Sequence, residues 1–130
     1  MTKSVIHTDR APKAVGPYSQ AVAVSSRRLV FTAGQIAIDP GTGEIIAGGV
    51  GEQTRRVMLN LQAVLDSAGT GLGNVIKTTV FLKDMNDFQA MNRVYETFFR
   101  MDPPARSTVE VSRLPKDVLV EIECVAEIPS

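Results

Sequence analysis

Two segments of helical spacing stand among short β-rich runs, and that order limits the fold more than any other feature of this 130-residue chain. Between 52 and 68, Val57, Met58, Leu61, Val64, Leu65 and Ala68 recur at helical intervals as one apolar stripe, with Gly69 as its stop. From about 87 to 100, Phe88, Met91, Val94, Tyr95 and Phe98 form a second stripe, with Asn86 as the expected N-cap and Pro103-Pro104 as the breaker. Strands are expected near Val5, at 18–24 and 29–32 as a hairpin, and at 75–83, 106–112 and 118–128. Asp39-Pro40-Gly41-Thr42-Gly43 predicts a tight turn. The result is an α+β domain. Its two helices can cover only one face of a five- or six-stranded sheet, so the other face must meet water or another subunit.

Length and composition suit one domain over 1–130 with a core of its own. No apolar run approaches the roughly 20 residues of a membrane span, and the first residues lack a signal-peptide pattern, so the expected compartment is the cytoplasm. Fourteen basic residues balance fourteen acidic ones, which argues against nucleic acid as a partner. With one Cys and one His, neither an internal disulfide nor a Cys/His zinc site can form, and no metal or cofactor is expected. His7 is read as a surface residue without a catalytic role. Cys124 is read as a small buried hydrophobe.

Strand alternation places Val118, Val120, Ile122, Cys124, Ala126 and Ile128 on the helix-covered face, and Glu121, Glu123 and Glu127 on the other. In the strand before it, Arg106, Thr108, Glu110 and Ser112 share a face. If the two strands are neighbours, Arg106, Thr108 and Glu121 lie together on the open face. That arrangement is either a solvated surface with weak ion pairs or a carboxylate-binding site, because a guanidinium grips a carboxylate with two parallel hydrogen bonds. The glycine-rich run 69–74 follows a helix and precedes a strand, the reverse of a nucleotide-binding turn, and is read as a helix stop and loop.

The segments Gly16-Pro17-Tyr18-Ser19-Gln20-Ala21, Thr32-Ala33-Gly34-Gln35-Ile36, 77–82 with Asn86-Asp87-Phe88, and above all 104–111 leading to Leu114-Pro115-Lys116-Asp117 and Glu121-Ile122-Glu123, resemble the reactive intermediate deaminase (Rid, or YjgF) family. The resemblance runs in order from about 5 to 128. It implies a chorismate-mutase-like fold, with a mixed six-stranded sheet, two helices on one face, and a homotrimer closed around a central barrel with clefts between subunits. It also implies cofactor-free hydrolysis of 2-iminobutanoate and 2-iminopropanoate, products of PLP-dependent dehydratases, to 2-keto acids and ammonia. Carried over by position, Arg106 would hold the substrate carboxylate and Glu121 would orient or activate water. Tyr18 would close the cleft, Gly34 would offer main-chain hydrogen bonds, and Asn92 would stand nearby. Ala33 and Thr108 occupy positions where many relatives have serine and cysteine, which bears on rate and substrate range. Three other readings remain: another imine or enamine as substrate, a non-catalytic sensor of 2-keto acids, and a ribonuclease or translation inhibitor. The last is opposed by the single peripheral histidine and the neutral charge balance.

Overall fold

The computed structural model describes residues 2–25 and 27–129. Six strands and two α-helices follow one another as β1 (Lys3–Ile6), β2 (Ala21–Val24), β3 (Leu29–Phe31), α1 (Val50–Ser67), β4 (Val75–Leu82), α2 (Phe88–Tyr95), β5 (Ala105–Glu110) and β6 (Val120–Glu127). Four strands form a mixed sheet in the order β3-β6-β4-β5, with β6 antiparallel to both neighbours and β4 parallel to β5. A parallel pair needs a crossover, and α2 supplies it. β1 pairs antiparallel with β2, and a parallel bridge from Ser19 to Ala105 brings that pair to the outer edge of β5.

Two expectations are corrected here. The segments 18–24 and 29–32 do not form a hairpin: β2 takes β1, and β3 takes β6 at the far end of the chain. A local hairpin would leave β6, buried along one whole face, with an open edge on the side that β3 now closes. The second helix is shorter than its stripe. A 3-10 turn, Met85–Asp87, precedes it, and the capping carboxylate is Asp84, which accepts from the Asn86 N–H at 2.9 Å. Asn86 is therefore not the N-cap. Past Tyr95 the chain continues as turns, and the Thr97 hydroxyl donates to the Val94 carbonyl instead of leaving it to the helix.

Helix α1 follows its pattern with one correction: Val57, Met58, Leu61 and Leu65 are buried as expected, whereas Val64 is exposed because it lies at the margin of the stripe. The Glu52 carboxylate reaches back to accept the Gly49 N–H at 2.9 Å, satisfying a donor the first turn leaves free. At the other end Gly69 adopts φ +86°, while Gly69 N–H and Thr70 N–H donate to the carbonyls of Asp66 and Leu65. Only glycine takes that backbone without cost, so the predicted stop is also the structural one. The 69–74 run is helix stop, loop and a short 3-10 turn, as read. The 39–43 segment is a tight turn closed by Gly43 N–H to the Asp39 carbonyl at 2.8 Å.

The core lies between the helices and one sheet face. Val57, Met58, Leu61, Leu65, Met91 and Tyr95 pack against Val80, Leu82, Val120 and Ile122, all without solvent contact. The alternation read for the last strand is present, with Cys124 buried among these groups and burial raising its thiol pKa. Glu127 departs from its expected open-face exposure: it is buried, and its carboxylate accepts from the Thr2 hydroxyl. Truncating Leu61 to alanine should cost about 3 kcal/mol in urea-induced unfolding, because the helix–sheet interface cannot collapse around the lost volume. Among the described residues no helix is long and apolar enough to cross a membrane.

Candidate active site

Arg106 sits on β5 opposite Thr78 of β4, and Thr78 is fully buried on the helix-covered face. Register partners share a face, so the Arg106 side chain also rises on the helix side. There it meets one face of α2. Phe88, Asn92 and Tyr95 follow at helical spacing, and all three touch the guanidinium region. The Asn92 side-chain oxygen accepts from Arg106 Nη1 at 2.8 Å. The guanidinium carbon lies 4.9 Å from the ring centre of Tyr95, 5.4 Å from Tyr18 and 5.5 Å from Phe88. At such distances a cation is attracted to each ring face.

Tyr18 arrives from the loop before β2. Ser19 N–H donates to the Pro104 carbonyl at 3.1 Å and its hydroxyl donates to the Pro103 carbonyl, which fixes this loop to the start of β5. The Tyr18 hydroxyl accepts from the Val15 N–H at 3.2 Å. Burial lowers the Arg106 pKa from its usual value, opposed by Tyr95 and Tyr18. No carboxylate among the described residues pairs with it. A half-buried guanidinium with an ordered neighbour and no counter-ion is a receptor for an anion.

Thr108 stands two residues along the same face, opposite Val80. Its hydroxyl oxygen is buried and has no hydrogen-bond partner, the one such side-chain atom among the described residues. A polar group left in that state costs free energy unless something else completes it.

Glu121 is elsewhere. It pairs with Phe81 of β4, and Phe81 with Val109 of β5, all on the face that no helix covers. The expectation that Arg106, Thr108 and Glu121 share the open face is therefore overturned. β5 and β6 are not neighbours, since β4 runs between them, and Arg106 and Thr108 point to the helix side. Two strand spacings and three residues of offset separate Arg106 from Glu121, about 10 Å in each direction, on opposite faces. The parity was misread because the open face carries two exposed apolar pairs, Phe31 (72% exposed) beside Val125 and Phe81 beside Val109 (42% exposed), among the polar Lys77, Thr79, Ser107, Glu121 and Glu123.

The Glu121 side chain packs on Gly34, which lies beside the Gln35–Ile122 bridge. A Cβ at Gly34 would fall 2.7 Å from the Glu121 carboxyl carbon and 2.9 Å from its Cγ, so only glycine leaves the carboxylate where it is. The N–H groups of Ala33 and Gly34 have no acceptor among the described residues and are available to a ligand. Asn60 of α1 steadies this loop by donating to the carbonyls of Ile36 and Ile38 at 3.1 and 3.0 Å. Gly34→Ala should displace the Glu121 carboxylate while costing little stability. If Glu121 serves catalysis, turnover should then fall at least about tenfold with unchanged urea midpoint, since misplaced catalytic groups lose rate steeply.

The molecule thus carries two half-sites: an arginine clamp with Tyr18, Asn92 and Thr108, and a carboxylate with Ala33 and Gly34. Sequence reading placed Phe88 and Tyr95 in the core stripe and missed that they wall the clamp. The signal was Asn92, one polar residue on an otherwise aromatic helix face. Asn60 carried no comparable signal. His7 lies on the surface, 3.1 Å from the Asp9 carboxylate.

A family model described as endoribonuclease L-PSP matches residues 8–128. The chain belongs to this YjgF/Rid family. A RutC family protein from Pyrococcus abyssi is 56% identical over 126 residues, covering 97% of this chain and 98% of its own. A mouse protein named 2-iminobutanoate/2-iminopropanoate deaminase is 45% identical over 124 residues, covering 95% and 90%. The crystal structure of E. coli TdcF with bound serine superposes with a TM-score of 0.73 at 47% identity, covering 98% and 99%.

Proposed function

We propose that this Rid-family chain hydrolyses small 2-imino acids, with 2-iminobutanoate and 2-iminopropanoate as the substrates of first choice, at sites completed between subunits of a homotrimer. The observation that carries the reading is the Arg106 guanidinium, ordered by Asn92 and three rings yet lacking any carboxylate of its own among the described residues. The relative named as an imine deaminase and the relative holding serine, a small amino acid, support a ligand with one carboxylate beside a nitrogen-bearing carbon.

Arg106 takes the substrate carboxylate through its free edge, and Tyr18 closes over it. Neutralising that charge eases approach of a nucleophile to the adjacent carbon. The protonated imine carbon is already electrophilic, so orientation and a placed water supply most of what is needed. Glu121 accepts a proton from water as its oxygen bonds to the imine carbon, giving a carbinolamine. Glu121 passes that proton to the nitrogen, and the C–N bond breaks to release ammonia as the carbinolamine hydroxyl gives its remaining proton back to the Glu121 carboxylate and the C=O forms. No cofactor takes part.

The trimer rests on two features of one chain. Arg106 and Glu121 lie on opposite sheet faces, and the open face presents Phe31, Phe81, Val109 and Val125. Exposed apolar side chains on a sheet face that no helix covers suit burial against another copy. The activity is tested with a PLP-dependent threonine dehydratase generating 2-iminobutanoate in the presence of semicarbazide. The protein should divert the imine from semicarbazone to free 2-ketobutanoate. Unchanged partitioning with intact quaternary structure would exclude these substrates and turn attention to other imines or to keto-acid sensing.

A further inference from the structure

Tyr95 is fully buried in the core, yet it keeps a hydroxyl where phenylalanine would pack as well. That hydroxyl lies 2.8 Å from the Thr78 side-chain oxygen, and Thr78 is equally buried. Thr78 is the register partner of Arg106 on the neighbouring parallel strand, and the Tyr95 ring centre is 4.9 Å from the guanidinium carbon. Two buried hydroxyls therefore stand beside the arginine, one on the neighbouring strand and one on α2. Phe99 wedges the ring from behind, 4.8 Å between centroids.

We infer that the Tyr95–Thr78 hydroxyl pair is a positioning device for Arg106. An arginine cannot accept a hydrogen bond, so any oxygen facing it must offer a lone pair. Either hydroxyl can donate across the 2.8 Å contact; with the Tyr95 O–H donating to Thr78 Oγ1, the phenol oxygen keeps its lone pairs for the guanidinium. Burial pushes the Tyr95 pKa up to about 12, against the pull of Thr78 and Arg106, so the phenol stays neutral and does not neutralise the arginine. Asn92 holds one edge of the guanidinium by hydrogen bonding, and Tyr95 supports its face. The remaining edge is left for a carboxylate. Both groups act through Arg106 and are positioning residues. The inference rests on the proposed use of Arg106 only for its effect on ligand, and not for its effect on the arginine itself.

The test uses Tyr95→Phe and Thr78→Val, with Thr78→Ser as the conservative variant. The first readout is side-chain nitrogen NMR of Arg106, its signal assigned by its loss in Arg106→Lys. Rotation of the guanidinium should be slow in the parent protein and at least tenfold faster in Tyr95→Phe and Thr78→Val, with Thr78→Ser restoring the parent behaviour. Unchanged rotation in both hydroxyl-deleted variants overturns the inference whatever the ligand does. The second readout is the Kd for propanoate, expected to rise about tenfold in the same two variants, with KM in the deamination assay rising alongside and kcat little changed. A parent protein that binds no carboxylate would sink the proposed function, while the NMR readout would still decide the role of Tyr95.

Discussion

Arg106→Ala is expected to lower kcat/KM for 2-iminobutanoate by about a thousandfold and to abolish measurable 2-ketobutanoate binding, while the chain stays folded. The magnitude follows from what is removed. Two charge-assisted hydrogen bonds to a carboxylate, each worth roughly 1.5–3 kcal/mol, amount to about two to four powers of ten. The fold should persist because no carboxylate of the chain pairs with Arg106 among the described residues, so its loss leaves no charge unpaired. Arg106→Lys separates charge from geometry. An ammonium cannot make the planar fork and stacks poorly among Tyr18, Phe88 and Tyr95, so this variant should keep only about a tenth of the parent kcat/KM or less. Keto-acid binding within twofold of the parent in the alanine variant would remove Arg106 from the site.

The family description names an endoribonuclease, and the geometry bears on that activity too. RNA cleavage by proton transfer calls for groups that titrate near neutrality around one cleft. The single histidine is 62% exposed beside the still more exposed Asp9 carboxylate, in the segment between β1 and β2. Neither half-site offers a cationic track for a phosphate backbone, since Arg106 is enclosed by rings. Tight, salt-sensitive RNA binding would be needed to reopen that reading.

What was legible in the sequence follows from which information is local. The stripe Val57–Leu65 and the stop at Gly69 are written in adjacent residues, and α1 forms as they specify, except that Val64, read as part of the stripe, sits at its margin and is exposed. The alternation of β6 is equally local, and Val120, Ile122, Cys124 and Ala126 are buried as it predicts. Strand partnership is not local. Nothing within 18–32 tells that β2 belongs with residues before it and β3 with residues near the end. The face of Arg106 failed for a more instructive reason. Parity was assigned by sending the valines of β5 inward, which holds only where the open face is wet. Here that face is mixed: Val109 points outward beside Phe81, Ser107 also faces outward and accepts from Lys77 Nζ at 3.1 Å, and Arg106 and Thr108 turn toward α2.

That inversion makes the second large effect a matter of quaternary arrangement. Arg106→Ala and Glu121→Gln should each be nearly inactive alone, yet mixing the two chains by co-expression or by denaturation and renaturation should restore activity. If each cleft takes its arginine from one subunit and its carboxylate from the next, random assembly at equal ratio gives an intact pair at about one cleft in four, so about a quarter of the parent activity should return. A double variant carrying both substitutions on one chain, mixed with the parent chain, should give the same fraction, because an intact cleft then needs two adjacent parent subunits. The first mixture is the decisive one. If Arg106 and Glu121 served the same cleft from a single chain, every chain in it would carry one broken half and no assembly could recover activity. Recovery would therefore tie the uncovered sheet face, the two half-sites and the chemistry into one arrangement, whereas continued inactivity of verified mixed oligomers would place the carboxylate's role, or the site itself, within a single subunit.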